Sequence, residues 1–71
     1  MKETKEERFK RVASKRMERL LREIRLIGNL WRDTVYSYNE ETVAKMFHAI
    51  EEEVRLARGR FAVRRSEKFT L

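Results

Sequence analysis

Residues 9–27 read FKRVASKRMERLLREIRLI, and this stretch decides the fold of the chain. Its apolar residues recur at steps of three and four, which is the period of a helix that buries one face. This pattern predicts a long amphipathic helix. The residues of this apolar stripe are Phe9, Val12, Ala13, Met17, Leu20, Leu21, Ile24 and Ile27.

The bounds of this first helix are set by the residues on either side of the stripe. Thr4 and Glu7 have the spacing of a capping box, in which each side chain bonds to the backbone of the other residue. Gly28 and Asn29 favour a left-handed stop at the other end. The first helix is therefore predicted to span about 5–28, although Leu30 and Trp31 can continue the stripe.

A second helix is predicted after a connection at residues 28–39. Asn39 is a suitable N-cap, and the two glutamates that follow it suit the positive end of the helix dipole. Gly59 can end this helix, so we expect it to span about 40–59, followed by a basic C-terminal tail at 62–71. Its apolar residues are Val43, Met46, Phe47, Ile50, Val54 and Ala57.

The predicted fold class is all-α, a helical hairpin of two long amphipathic helices in a domain at residues 1–61. With 71 residues and no cysteine, the chain buries little surface and has no disulfide to stabilise it. Pairing of two hairpins into a four-helix bundle covers the exposed flanks. We therefore expect a homodimer; a monomer whose tail folds back is the competing possibility.

The charge is unevenly distributed along a chain whose net charge is +6. Residues 1–32 hold 11 Lys and Arg against 5 acidic residues, and residues 59–71 hold 4 against 1. Residues 33–58 reverse the balance, with 3 against 6. The excess of positive charge favours polyanionic partners. The acidic second helix can also attract the basic first helix within a hairpin or across a dimer.

Opposite its apolar stripe, the first helix carries basic residues at intervals of about one turn. At about 100° per residue they fall within an arc of roughly 120° and extend over about 25 Å. Arginine, which is five of the six, makes bidentate contacts with phosphate. We call these six residues the basic face: Arg8, Arg11, Lys15, Arg19, Arg22 and Arg25.

The basic face has two interpretations. A solvated helix face is usually charged but mixed in sign, whereas Glu18 alone is expected to interrupt this one. We therefore predict a non-catalytic accessory protein that binds DNA, RNA or a nucleoprotein complex, helped by Arg64, Arg65 and Lys68. The competing interpretations are plain solvation and ion pairing between subunits with Glu51–Glu53.

Aromatic residues are concentrated in the connection between the helices, at Trp31, Tyr36 and Tyr38. For Trp31 we favour a packing role, in which it plugs the open end of the hairpin. For the tyrosines two roles stay open, packing or anchoring a partner. All three are candidate partner-binding residues, so the alternative function is a protein–protein interaction module, an adaptor or an inhibitor. The segment 34–38 is β-prone, but with no partner strand we expect an extended loop.

Motifs for catalysis, metals and cofactors are absent from the sequence. His48 is the only histidine, and the chain has no HExxH motif, no glycine-rich phosphate loop and no cysteine. We expect no enzyme activity, no cofactor, no metal and no small-molecule substrate. No apolar run approaches the roughly 20 residues that span a bilayer, and the N-terminus lacks the pattern of a signal peptide. We therefore expect a cytoplasmic protein without a membrane partner.

Three stretches carry a resemblance that covers roughly residues 8–61. They read IRLIGNL at 24–30, YSYNEE at 36–41 and FHAIE at 47–51. In these stretches the chain resembles a group of small uncharacterised helical proteins of bacterial phages and mobile elements. The resemblance implies a mobile-element setting, in which small proteins often bind nucleic acid or inhibit host machinery. It assigns no activity and no functional residues.

Overall fold

The structure is a computed structural model that describes residues 2–68, with side chains described as far as residue 64. These residues form two α-helices, α1 (Lys5–Gly28) and α2 (Glu40–Lys68), with a short 3₁₀ helix (Asn29–Arg32) after the first. No strand occurs within the described residues. The all-α prediction is therefore confirmed for this part of the chain. The chain divides into two compact units, Met1–Ser37 and Tyr38–Leu71, and each contains one α-helix.

Helix α1 begins as the capping-box pattern predicts. The backbone N–H of Glu7 donates to the Thr4 hydroxyl at 3.0 Å, and the backbone N–H of Thr4 donates to the Glu7 carboxylate at 3.2 Å. This reciprocal pair satisfies backbone donors that a helix start otherwise leaves without a partner. Glu6 and Glu7 also place negative charge in the first turn, where the helix dipole favours it.

The predicted left-handed stop at Gly28 and Asn29 is wrong. Both residues have right-handed helical dihedral angles, and no described residue has a positive φ. The backbone N–H of Asn29 donates to the carbonyls of Arg25 and Ile27, so the α-helix tightens into the 3₁₀ helix. Glycine permits a left-handed cap but does not require one, and the apolar residues that follow continue the helical path.

The connection is only partly the loop predicted at 28–39, because Asn29–Arg32 form the 3₁₀ helix and residues 33–39 alone are irregular. The Asp33 carboxylate accepts a hydrogen bond from the backbone N–H of Val35 at 2.9 Å, and the Asp33 carbonyl accepts one from Tyr36 at 3.3 Å. These bonds form a local turn in which the aspartate side chain replaces a backbone acceptor. Helix α2 then begins at the predicted N-cap, where Asn39 accepts a hydrogen bond from the N–H of Thr42 at 2.8 Å.

Helix α2 is longer than the sequence pattern predicted. It does not end near Gly59 but runs on to Lys68, so residues 62–68 are helical rather than part of a tail. Glycine costs about 1 kcal/mol relative to alanine inside a helix, a penalty that good helix formers on both sides can offset. The last three residues of the predicted tail, 69–71, lie outside the described residues.

The extra turns lengthen the apolar stripe of α2. At about 100° per residue, Phe61 falls in the middle of the predicted stripe. We call the extended set the main stripe: Val43, Met46, Phe47, Ile50, Val54, Ala57 and Phe61.

Neither helix has a buried side chain among the described residues. Val12, Ala13, Ile24 and Ile27 in α1 are half-buried, and larger members of the same stripe are more exposed, with Phe9 at 56%. The apolar stripes are thus surfaces available for packing. Within the described residues, no helix combines the length and apolarity needed to cross a membrane.

Candidate nucleic-acid interface

Helix α1 carries all six residues of the basic face, and the side chain of each is exposed. Uninterrupted helical backbone from Lys5 to Gly28 fixes their spacing along the axis at about 1.5 Å per residue. The predicted arrangement of these residues along one helix is therefore present. Their electrostatic surroundings differ along its length.

The N-terminal end of the basic face is occupied by an acidic residue that precedes the helix. Glu3 accepts two hydrogen bonds from Arg11, from Nε to Oε2 at 2.8 Å and from Nη2 to Oε1 at 3.1 Å. The Nε of Arg8 lies 3.5 Å from Oε1 of the same carboxylate. The hydrogen bond from Arg11 lowers the pKa of Glu3 below its ordinary value of 4.5 and raises that of Arg11.

This Glu3 cluster was not predicted from the sequence. Rules for neighbouring residues on a helix cover separations of three and four, whereas Glu3 and Arg11 are eight apart. Glu3 reaches the arginines because it stands before the N-cap, where the chain leaves the helical path. At about 100° per residue, Glu7 also falls at the edge of the arc that the basic face covers. Its carboxylate accepts the capping-box hydrogen bond from the backbone N–H of Thr4.

The remainder of the basic face differs from its N-terminal end. Over the described part of the chain, its last four residues form neither an ion pair nor a side-chain hydrogen bond, and neither does Glu18. They extend over about 15 Å of helix axis. We call these four residues the open basic segment: Lys15, Arg19, Arg22 and Arg25.

The open basic segment has the chemistry of a phosphate-binding surface. A guanidinium presents several N–H donors in a fixed plane, which matches the oxygens of a phosphate. Because these side chains are exposed, a polyanion can reach them without a rearrangement of the protein. Contacts of this kind position a nucleic acid and carry no base specificity in themselves.

Leu26 is a further residue of this surface that the stripe pattern did not include. At about 100° per residue it falls within the arc of the basic face, between the positions of Lys15 and Arg19. Its side chain is 54% exposed. An apolar side chain among arginines can pack on a sugar or a base. The signal was available in the sequence, since a helical wheel places Leu26 away from the apolar stripe.

The aromatic candidates are exposed at three places. Trp31 and Tyr36 belong to the first unit and are 65% and 55% exposed, and Tyr38 begins the second unit at 59%. The guanidinium of Arg32 lies 5.7 Å from the centre of the Trp31 ring, within the range of a cation–π interaction. The sequence pattern did not identify Arg32, whose charge extends the basic character of the unit to its aromatic end.

The basic residues at the C-terminal end have a different setting from the one predicted. Arg64 is an exposed residue of α2 rather than of a tail. Arg65 and Lys68 also belong to α2, but their side chains lie outside the described part of the structure. Any nucleic-acid contact by these residues therefore begins from a helical backbone, not from an irregular segment.

The acidic run of α2 has one defined internal contact. Arg55 donates from Nε to Oε1 of Glu52 at 3.2 Å, with a second contact from Nη2, and this hydrogen bond raises the pKa of Arg55. His48 makes no hydrogen bond within the described residues, so a contact with Glu51 or Glu52 is not formed there. No group of three or more potential metal ligands occurs among the residues searched, which are the described ones.

Comparison with known proteins yields no relative: neither a protein-family model, nor a curated protein, nor a solved structure matches this chain at a significant level. The described residues define a broad class, an all-α protein with two long helices and a short 3₁₀ helix. Its most distinctive surface is the basic face of α1.

Proposed function

We propose that this protein is a non-catalytic accessory protein that binds nucleic acid or a nucleoprotein complex through the basic face of α1. The observation that carries the proposal is the open basic segment, four exposed cations on one arc without an ion pair among the described residues. Arg64, Arg65 and Lys68 add positive charge at the other end of the chain.

The proposed mode of binding is electrostatic. Each cation that neutralises a phosphate releases a condensed counterion, so affinity falls steeply as salt rises. A helix face that presents arginines along one line follows a backbone, and it discriminates weakly among base sequences. We therefore expect similar affinity for unrelated sequences of the same length and strandedness.

Fluorescence anisotropy tests this proposal with duplex DNA, single-stranded DNA and RNA, each titrated at several salt concentrations. Wild-type protein should bind at least one of the three at low salt and release it as salt rises. Changing all four residues of the open basic segment to glutamine should weaken binding by about tenfold or more, because the phosphate contacts are lost.

A charge-matched control uses four basic residues outside the basic face. Such a variant should retain most of the affinity. Absence of binding at low salt, insensitivity to salt, or equal losses in both variants would contradict the proposal. The control positions are Lys5, Arg16, Lys45 and Arg58.

The proposed assembly is a hairpin of the two helices, two copies of which pair into a four-helix bundle. What supports it is the exposure of the apolar stripes, since large exposed apolar surfaces mark sites of packing or interaction. In this assembly Trp31 plugs the open end of the hairpin. Light scattering over a dilution series should show a dimer, and Ile50→Asp in the main stripe should dissociate it.

The alternative function is a protein–protein interaction module, an adaptor or an inhibitor of a host or phage protein. The observation in its favour is the exposure of Trp31, Tyr36 and Tyr38, because exposed aromatic residues are frequent anchors of interfaces. For this function, Tyr36→Ala with Tyr38→Ala should abolish capture of the partner. Glutamine at the open basic segment should leave that capture nearly intact; the opposite pattern would discard the alternative.

The proposed biological setting is the cytoplasm of a bacterium that carries a phage or another mobile element. The resemblance of the stretches at 24–30, 36–41 and 47–51 supports it. Purification of the protein from its native host tests the setting together with the function. Copurifying nucleic acid supports the leading proposal, and a stoichiometric protein partner without nucleic acid supports the alternative.

A further inference from the structure

Helix α2 carries a second apolar stripe in addition to its main stripe. Ala49, Leu56 and Val63 are seven residues apart, which is about two helical turns, and lie roughly 130° around the helix from the main stripe. Leu56 is 43% exposed and Val63 is 61% exposed. Val63 belongs to this second stripe only because the helix continues past Gly59. Two apolar sides on one helix can pack against two separate neighbours.

This second stripe and two charged residues on the same side of the helix form a symmetric pattern about Leu56. Ala49 and Val63 stand seven residues from it on either side, while Glu52 and Arg60 stand four residues from it. The five positions follow one another at steps of three, four, four and three, which keeps them on one side of the helix. Reversing the direction of the helix about Leu56 exchanges the acidic position with the basic one.

We propose that this side of α2 binds the same side of α2 in a second copy of the chain, in antiparallel orientation. Leu56 then meets Leu56 of the second copy at the two-fold axis, and Ala49 meets Val63 of the second copy. Glu52 of each copy then faces Arg60 of the other, which gives one such pair on each side of the two-fold axis. A parallel pair aligns each of these charges with its own kind, so charge complementarity selects the antiparallel pair.

The local contacts of the two charged residues are compatible with this pairing. Both contacts that Arg55 makes with Glu52 go to Oε1, which leaves Oε2 available. Arg60 has no ion pair within the described part of the chain and is exposed. A carboxylate accepts several hydrogen bonds, so Glu52 can hold Arg55 within its own helix and Arg60 of the second copy together.

This inference goes beyond the proposed function, because it assigns the contact between copies to a face that neither the basic face nor the main stripe uses. Three apolar residues make a small seam, so we expect weak self-association. Nucleic-acid binding can fail while this pairing holds, and the reverse is equally possible. The two are measured on different variants.

Sedimentation equilibrium at micromolar to millimolar concentration tests the pairing by charge reversal, in an Ile50→Asp background so that a dimer through the main stripe does not mask it. Glu52→Arg and Arg60→Glu should each weaken self-association by about tenfold or more, because each creates like charges across the seam. The double charge reversal should return self-association to near the value measured without charge changes, although it lacks the contact between Arg55 and Glu52. The control, Glu51→Arg with Arg58→Glu, lies on the far side of α2 and should change little.

Cysteine cross-linking tests the orientation in a chain that has no native cysteine. Leu56→Cys should form a disulfide between copies, as should a mixture of Ala49→Cys and Val63→Cys. Ala49→Cys alone should not, since its two copies stand about 21 Å apart along an antiparallel axis. A monomer at every concentration, failed rescue by the double charge reversal, or faster cross-linking by Ala49→Cys alone than by Leu56→Cys would overturn the proposal.

Discussion

Glu3 holds Arg11 through two hydrogen bonds, of 2.8 and 3.1 Å, although eight residues separate them. The same carboxylate contacts Arg8 at 3.5 Å. An acidic residue thus occupies the position that a phosphate would take at the N-terminal end of the basic face. Both arginines are exposed, so the interaction competes with water and salt as well as with any polyanion.

Removing this competitor should strengthen polyanion binding. In Glu3→Gln, Arg8 and Arg11 are free to contact phosphates without first giving up the carboxylate. We expect about a twofold to tenfold gain in affinity at low salt, since exposed charge contacts are individually weak. Fluorescence anisotropy measures it. Glu6→Gln is the control with the same change in net charge, because Glu6 contacts Lys10, outside the basic face; an equal gain there would refute a specific role for Glu3.

The Glu3 carboxyl should titrate below its ordinary pKa of 4.5, because the hydrogen bond from Arg11 favours the charged form. Its contribution to the helix start is therefore present above the pKa of the unfolded chain and is lost as the pH falls through the lowered pKa. Carbon-detected NMR of the carboxyl group measures the midpoint. Arg11→Gln should move that midpoint upward, and a wild-type midpoint at or above 4.5 would be inconsistent with the contact.

Loss of the capping box should destabilise the start of α1. Thr4→Ala removes the hydroxyl that accepts from Glu7, and substitutions of this kind cost about 1 kcal/mol. Amide hydrogen exchange of the first helical turn should become faster, and circular dichroism should show reduced helicity. Thr34→Ala, in the connection, is the control with the same chemical change. Unchanged exchange in the first turn of the Thr4 variant would show that the cap contributes nothing.

Gly59→Ala should stabilise α2, because the helix passes through this position. Beyond its chain neighbours and the backbone of its own helical turns, an added Cβ meets no heavy atom within 4 Å, and the residue is helical without a positive φ. Alanine is favoured over glycine inside a helix by about 0.5–1 kcal/mol. Thermal denaturation followed by circular dichroism should show a higher midpoint. A lower midpoint would mean that α2 ends near Gly59, as the sequence pattern alone suggested.

Helix α1 was predictable because several independent signals agree. The apolar stripe, the capping box at Thr4 and the absence of proline all favour one helix, and its bounds match those expected. The start of α2 after the N-cap Asn39 was predictable for the same reason. Gly59 misled the prediction of where α2 ends, and Gly28 misled only the prediction of a left-handed conformation at the end of α1. Glycine lowers the cost of a stop, but the neighbouring residues decide whether the helix ends.

The candidate site was predictable in outline only. Helical periodicity places six basic residues on one arc, but it says nothing about residues outside the helix. Glu3 became visible only when the chain path before Thr4 was known. The second stripe of α2 was hidden for a related reason, because Val63 belonged to a predicted tail. The positions of Glu3 and Val63 relative to their helices thus depend on where α1 begins and where α2 ends.

The most direct test of the proposed function is the slope of the logarithm of the binding constant against the logarithm of salt concentration. Arg19→Gln with Arg22→Gln should reduce the magnitude of that slope for duplex DNA by about two, since each phosphate contact contributes about 0.9. Lys5→Gln with Arg16→Gln, the same loss of charge outside the basic face, should leave the slope nearly unchanged. Equal slopes for the wild type and the Arg19/Arg22 variant would contradict the proposal that the basic face binds the phosphate backbone.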